Sequence, residues 1–368
     1  MKKKTALLSL CLLFCLFLTV GCASASDAAA PQNTDEAEDE TSLHFTQEIT
    51  VKKEKYLNKA AYRDFLASFE KSCLIPGLNQ AVIPQGMDYS EQTGLLYISG
   101  YYKLDDVPSV LMAVDPADGT LKADYRLFNP DGTPFVSHVG GVAAAGDYLV
   151  ISAALDNDGS YSVALLPLNE LAGEGGHDIT VSRRLTVPVS PSFLNCSDGV
   201  LWLGNFYHPS AGYDLPPELS TVSSADGDYG CYILGWQLDD STALLSGTEL
   251  PDPDYVLFAP DRIQGMTVTV DGTVRLSQSY GRKNDSSLLS YRPDLSVPDT
   301  EVKICGTAVN AWFLDSRCLE EAITAMPMTE ALCTDADGDV LLLFESGAMA
   351  YSDGVNRTDH IWRLSAEG

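Results

Sequence analysis

The chain has 368 residues, with 51 acidic against 23 basic side chains and a formal net charge of −28. That charge excludes a nucleic-acid partner, because such affinity rests on neutralising phosphates with cations. Nine cysteines occur without a CxxC pair or a Cys/His cluster, which excludes a structural zinc site.

Residues 1–21 read as a leader rather than as part of the fold. Lys2, Lys3 and Lys4 precede an apolar run from Leu7 to Val20. At about fourteen residues it is shorter than the roughly twenty that span a bilayer, so it is an export signal. Leu18-Thr19-Val20-Gly21-Cys22 resembles a bacterial lipobox. Cys22 is then the lipidated first residue, on the extracytoplasmic side of the cell membrane; cleavage after Ala23-Ser24-Ala25 and secretion is the alternative. Residues 22–44 include the acid run from Asp35 to Glu40 and lack the apolar content to offset ordering entropy, which makes them a disordered tether. One domain occupies 45–368. Its six cysteines are Cys73, Cys196, Cys231, Cys305, Cys318 and Cys333. A disulfide between Cys305 and Cys318 is weighed against buried free thiols.

From residue 45 onward, short apolar runs alternate with Gly and Asp turns, the mark of an all-β protein. Residues 60–69 are the exception, with Tyr62, Phe65, Leu66 and Phe69 on one face of a short helix. An internal repeat sets the architecture. Gln85-Gly86-Met87 followed by Tyr97-Ile98-Ser99-Gly100-Tyr101 returns as Gln264-Gly265-Met266 followed by Leu276-Ser277-Gln278-Ser279-Tyr280. A repeat of strands at this spacing predicts a β-propeller. Strands at 85–89, 95–99, 109–115 and 121–128 form blade one. Blade two takes 139–144, 148–153, 162–168 and 178–187, and blade three 191–196, 200–205, 232–238 and 243–250. Blade four takes 264–270, 273–279, 287–292 and 301–305. Blade five has only 329–334, 340–345 and 360–364, so an N-terminal strand, 47–51, closes it and removes the free edge. Five blades result, or six if 308–325 forms another.

Tight Asp-Gly-type turns join the first two strands of each blade, leaving one face plain. The opposite face carries long loops, where binding and chemistry concentrate. Gln85, His138, Ser192 or Asn195, Gln264 and Glu330 lie where the innermost strands begin. Tyr101, Asn205, Tyr207, Ser279, Arg282 and Glu345 lie where the second strands end. Together they are expected to ring the mouth of the central channel as a ligand-binding site. His138 is a ligand or an acid/base group; otherwise it is a satisfied polar plug. Glu330 and Glu345 need either a cationic partner, for which Arg282 is the candidate, or a bound cation. No channel aspartate is read in blades one, two or four. Asp156-Asn157-Asp158-Gly159 lacks the later Glu of a calcium loop and reads as a turn.

Pro84-Gln85-Gly86-Met87, Tyr97 to Tyr101 and His138-Val139-Gly140-Gly141 resemble the propeller superfamily of SMP-30/gluconolactonase and strictosidine-synthase-like proteins. With Ser277 to Arg282 and Phe344 to Ala348 added, the chain resembles uncharacterised exported bacterial propellers. The gluconolactonase resemblance implies a divalent cation such as Ca2+ in the channel, held by a Glu with Asn and Asp. Glu330 with Asn195 or Asn205 would supply part of that set. Two functions follow as expectations. One is a surface module that binds a small molecule, glycan or protein, touching the membrane only through its anchor. The other is a cation-dependent hydrolase or lactonase with His138 and Glu330 at its centre.

Overall fold

The strands carry apolar side chains at consecutive positions, so each sheet must be covered on both faces. The computed structural model describes residues 42–366 except 157, 172 and 239–243. In it, five sheets meet this need by facing one another around an axis, a five-bladed propeller. The leader, Cys22 and most of the tether lie outside the described residues.

Helix α1 (Arg63–Ser68) leads into strand β1 (Phe69–Leu74). Blade one follows as β2 (Ile83–Ser90), β3 (Leu95–Tyr101), β4 (Val110–Val114) and β5 (Leu121–Phe128). Blade two starts with β6 (Val142–Ala145), β7 (Tyr148–Ser152) and β8 (Tyr161–Pro167). The segment expected as its single outer strand divides. Strand β9 (Gly175–Thr180) joins blade one parallel to β5, and β10 (Arg183–Val187) closes blade two.

Blade three contains β11 (Phe193–Ser197) and β12 (Val200–Gly204). A long loop bearing the hairpin β13 (Val222–Ser224) and β14 (Gly227–Tyr229) then leads to β15 (Cys231–Gln237) and β16 (Tyr255–Ala259). The outer strand is thus β16 and not 243–250. Blade four runs β17 (Ile263–Val268), β18 (Val274–Gln278) and β19 (Ser286–Tyr291). The hairpin β20 (Thr300–Ile304) and β21 (Thr307–Phe313) leaves this blade and extends blade three, β21 lying parallel to β16. Blade four is completed by β22 (Leu319–Ala325), so 308–325 holds no sixth blade. Blade five is β23 (Thr329–Thr334), β24 (Val340–Phe344) and β25 (His360–Leu364), with β1 as its outermost strand.

An N-terminal strand therefore closes the ring, as expected, but it is β1 and not 47–51. Residues 47–51 cross between blades as an irregular strap. The amides of Thr50 and Val51 both donate to Asp359 at 2.7 Å, and the Gln47 amide nitrogen donates to the carbonyls of Leu74 and Gly119. The helix is shorter than read because its last residue, Phe69, already begins β1. Phe69 stacks on Phe65 at 4.7 Å between ring centroids. All six cysteines of the domain are free, Cys305 at a hairpin turn and Cys318 half-buried, so the Cys305–Cys318 disulfide is not formed.

Five hydrophobic clusters fill the five gaps between blades. Tyr97 and Leu111 of blade one meet Val142 and Leu149 of blade two, for example, and Leu332 and Trp362 of blade five meet Leu288 and Ile323 of blade four. Tyr56, Tyr62 and Phe65 seal the last of these gaps.

At the axis the innermost strands approach backbone to backbone. A Cβ on Gly141 would lie 2.2 Å from the Leu194 nitrogen, and one on Gly265 2.7 Å from the Glu330 carbonyl oxygen. Ser99 and Ser277 complete these contacts, their hydroxyls donating to the carbonyls of Val139 and Glu330 on the next blade. Asp88, 1 % exposed, ties three blades together. Its carboxylate accepts from the amides of Ala144 and Cys196 and from the Asn195 side chain at 2.8–3.2 Å. A channel aspartate is therefore present in blade one. Burial pushes its pKa up, to about 8, against the N–H donors that pull it down.

Overpacking against backbone leaves no side chain free to move aside. Gly141→Ala is expected to cost about 3 kcal/mol or more, read as a fall in denaturation midpoint with an unchanged m-value. A variant that unfolds like the wild type would show that the close approach is not required.

Candidate functional site

Three inner strands carry a bulge at the same place. The register breaks between Pro84 and Met87 in β2, between Ile263 and Gly265 in β17, and between Thr329 and Leu332 in β23. A bulge re-aims the residue it contains. Here it turns Gln85, Gln264 and Glu330 into one cavity of about 840 Å³ at the channel mouth. In blade two, which has no such bulge, the left-handed Val139 (φ 46°) follows His138, which lines the same cavity.

Glu330 is 3 % exposed at the floor. Glu345 leaves the end of β24 beside it, because β23 and β24 are antiparallel with Thr329 opposite Phe344. The two carboxyls lie close enough to act on each other's ionisation. Gln85 donates its amide to Glu345 at 2.9 Å. Burial pushes Glu345 up to about 7, although Tyr351, Glu330, Gln85 and Lys103 each favour its ionised form. Burial pushes Glu330 well above the carboxylate range, and the charge of Glu345 adds to the effect. Burial and the neighbouring carboxyl thus favour the protonated form in this pair, most strongly at Glu330.

The walls are aromatic and cationic. Tyr101 and His138 lie with ring centroids 4.5 Å apart. His138 is itself exposed to the cavity; the surrounding protein and the positive charge of Lys103 push its pKa down. Phe206, Tyr213 and Tyr280 form a second wall, Phe206 5.0 Å from Tyr213 and 6.3 Å from Tyr280. Tyr351 has the Lys103 ammonium 4.2 Å and the Arg282 guanidinium 4.8 Å from its ring centre. Arg282 pairs with Asp353 at 2.7 Å, so it does not plug the channel by pairing with Glu330 or Glu345.

Of the residues expected at the mouth, Gln85, Tyr101, His138, Ser192, Gln264, Tyr280, Arg282, Glu330 and Glu345 line this cavity. Asn195, Asn205, Tyr207 and Ser279 do not. Asn195 is buried against Asp88 and the Leu332 carbonyl, at 3.2 and 3.3 Å. Asn205 secures the blade-three loop, accepting from the Tyr232 amide at 2.7 Å. The Tyr207 ring packs on Gly230. Ser279 accepts from Ser286 and from the Met328 amide. Lys103 and Tyr351 were not identified from sequence. Both sit in irregular loops with no periodicity, and their one signal was position, each a few residues beyond the end of a second strand.

The cation set implied by the gluconolactonase resemblance does not fit. The Asp88 carboxylate is surrounded by N–H donors, and Asn195 turns its NH2 toward it. That leaves Glu330, Glu345 and Asp214 on the mouth lining, and among the described residues these three do not come within ligand spacing of one another. Among the described residues, one trio has ligand spacing, Glu54, Asp359 and His360 in the last blade. There Lys71 pairs with Glu54, and the amides of Thr50 and Val51 occupy Asp359.

No protein-family model and no curated protein matches the chain. Solved structures do, at low identity. A GH43_1 enzyme from Xanthomonas citri is 12 % identical over 84 % of this chain and 95 % of its own, with a TM-score of 0.43. The PQQ-bound aldose sugar dehydrogenase of Streptomyces coelicolor is 12 % identical over 80 % and 96 %, at 0.40. A gluconolactonase from Xanthomonas campestris is 13 % identical over 88 % and 96 %, at 0.34. Likenesses at this level fix no activity.

Glu330 and Glu345 hold their protons more tightly in the folded than in the unfolded chain. The fold then carries extra protons above about pH 4, and stability falls as pH rises through about 7 and beyond. Melting temperature is expected to drop between about pH 5 and pH 8 more steeply in the wild type than in Glu330→Gln. The difference is at most about 1.4 kcal/mol per pH unit for each proton removed. Parallel profiles would mean that the pair titrates normally.

Proposed function

We propose that the protein is an extracytoplasmic, lipid-anchored propeller that binds a small neutral polyhydroxylated ligand, of the glycan class, at its long-loop mouth. The observation that carries this reading is the floor of the cavity. Two carboxyls, Glu330 and Glu345, and the side-chain amides of Gln85 and Gln264 bring groups able to donate and to accept hydrogen bonds to one cavity. Above them stand Tyr101, Phe206, Tyr213 and Tyr280, whose ring faces suit the C–H faces of a sugar. A volume of about 840 Å³ suits a small-molecule ligand.

A second reading, a hydrolase, draws on the same pair. Two adjacent buried carboxyls, both raised in pKa, have the make-up of an acid and base pair. A cation-dependent form of that reading would need the metal to displace the protons this pair holds.

Titration calorimetry with a panel of mono- and disaccharides tests the first reading. Glu330→Gln and Tyr280→Ala are each expected to weaken the best binder by about tenfold or more while the circular-dichroism spectrum stays that of the folded wild type. Binding unaffected by both variants would remove the mouth as the site. Melting in EDTA and then in Ca2+, Mg2+, Mn2+ or Zn2+ separates the second reading. A cation bound to the folded state at a hundred times its dissociation constant adds about 2.7 kcal/mol, and a shift lost in Glu330→Gln favours the metal-dependent hydrolase. Anchoring is checked by palmitate labelling, which Cys22→Ala is expected to abolish.

A further inference from the structure

A second cavity, of about 440 Å³, adjoins the mouth. The loop after β24 divides the two: Tyr351 lines the mouth, and Ser352, Gly354 and Val355 line the second cavity. The charged side chains on this second lining are Lys52, Lys53, Lys55, Lys59 and Arg357, without a single carboxylate. That runs against the composition, in which acids outnumber bases 51 to 23. Among the described residues, none of the four lysines forms an ion pair. The carboxylates nearby are engaged elsewhere: Glu54 with Lys71, Asp353 with Arg282, and Asp359 with the amides of Thr50 and Val51.

The floor is fixed. The Arg357 guanidinium donates to the carbonyls of Ser346, Gly347 and Ala348 at 2.6–3.0 Å. The Thr50 hydroxyl donates to the Gly347 carbonyl at 2.9 Å, and Asn356 donates to the Tyr62 hydroxyl at 2.8 Å. Like charges gathered round a rigid concavity repel one another and focus a positive potential in it. An anion with several acceptor oxygens relieves that repulsion and can take hydrogen bonds from more than one ammonium at once.

We propose that this basic cavity is a binding site for a phosphate-bearing group. The chemistry is the same whether the phosphate belongs to a soluble compound or to a lipid headgroup. The site is independent of the ligand assigned to the mouth, and either can fail alone.

The test titrates the full chain with inorganic pyrophosphate by calorimetry, and in parallel with vesicles containing phosphatidylglycerol or phosphatidylcholine alone by co-sedimentation. Binding to pyrophosphate, or to phosphatidylglycerol vesicles and not to phosphatidylcholine, is expected to weaken by about tenfold or more in Lys52→Glu/Lys55→Glu. It is expected to weaken in high salt as well. Lys303→Glu, on the remote β20–β21 hairpin, is expected to leave it unchanged. Pyrophosphate binding without vesicle binding identifies a soluble phosphate as the source, and the converse identifies the headgroup. No binding to either probe, or binding that survives the double reversal, overturns the proposal.

Discussion

The contact on which the molecule depends is the backbone approach of the innermost strands around the axis. Gly86, Gly141 and Gly265 each face the backbone of the next blade at a distance that excludes a side chain. Such closeness leaves main-chain groups at the strand ends that no sheet ladder satisfies, and a buried unpaired polar group is costly. Serines supply the missing partners, Ser99 and Ser277 toward the following blade and Ser152 toward the Gly141 amide. Asp88 does the same lower in the channel for blades two and three. Bulges at Gln85, Gln264 and Glu330 accompany this approach, so the device that joins the blades also delivers polar side chains to the mouth.

Much of this was legible in the sequence, and the reason is physical. The inner two strands of each blade are buried on both sides and bounded by positive-φ turns, so their composition is tightly constrained. The Gln-Gly-Met repeat marked two of the three bulges, and the wall residues Tyr101 and His138 were identified with them. Outer strands are constrained on one edge only, which is why 178–182 and 301–305 were assigned to the wrong blade and 243–250 was taken for the strand that is β16, while 183–187 was placed correctly. Closure by 69–74 was hidden because the helix before it shares Phe69 with the strand. Asp88 went unread because nothing local distinguishes an aspartate that bridges three blades from one in a turn. Asn195 and Ser279 show the opposite error. They lie beside functional positions in sequence but face inward, and a strand reverses direction with every residue.

The two cavities on the long-loop face differ in composition and share one wall. On one side of the loop after β24, Glu330, Glu345 and Asp214 are mixed with Lys103 and Arg282; on the other, Lys52, Lys53, Lys55, Lys59 and Arg357 line a cavity with no carboxylate. Tyr351 stands at the boundary with Lys103 and Arg282 against its ring. The main chain reinforces the link, the Val355 amide donating to the Arg282 carbonyl. Arg282 thus joins blade four to the loop that borders both cavities.

The pairing of β1 with β25 makes ring closure the last event open to the chain. Phe69 lies opposite Leu364 in that pair, so the contact spans almost the whole domain. Until residue 364 is free, the apolar faces of blades one and five have no cover, whichever blades have already formed. Closure at such separation is slow, because loop entropy must be lost before the contact repays it. A chain built this way stays open until its last strand is free to pair, however early its first strand was made.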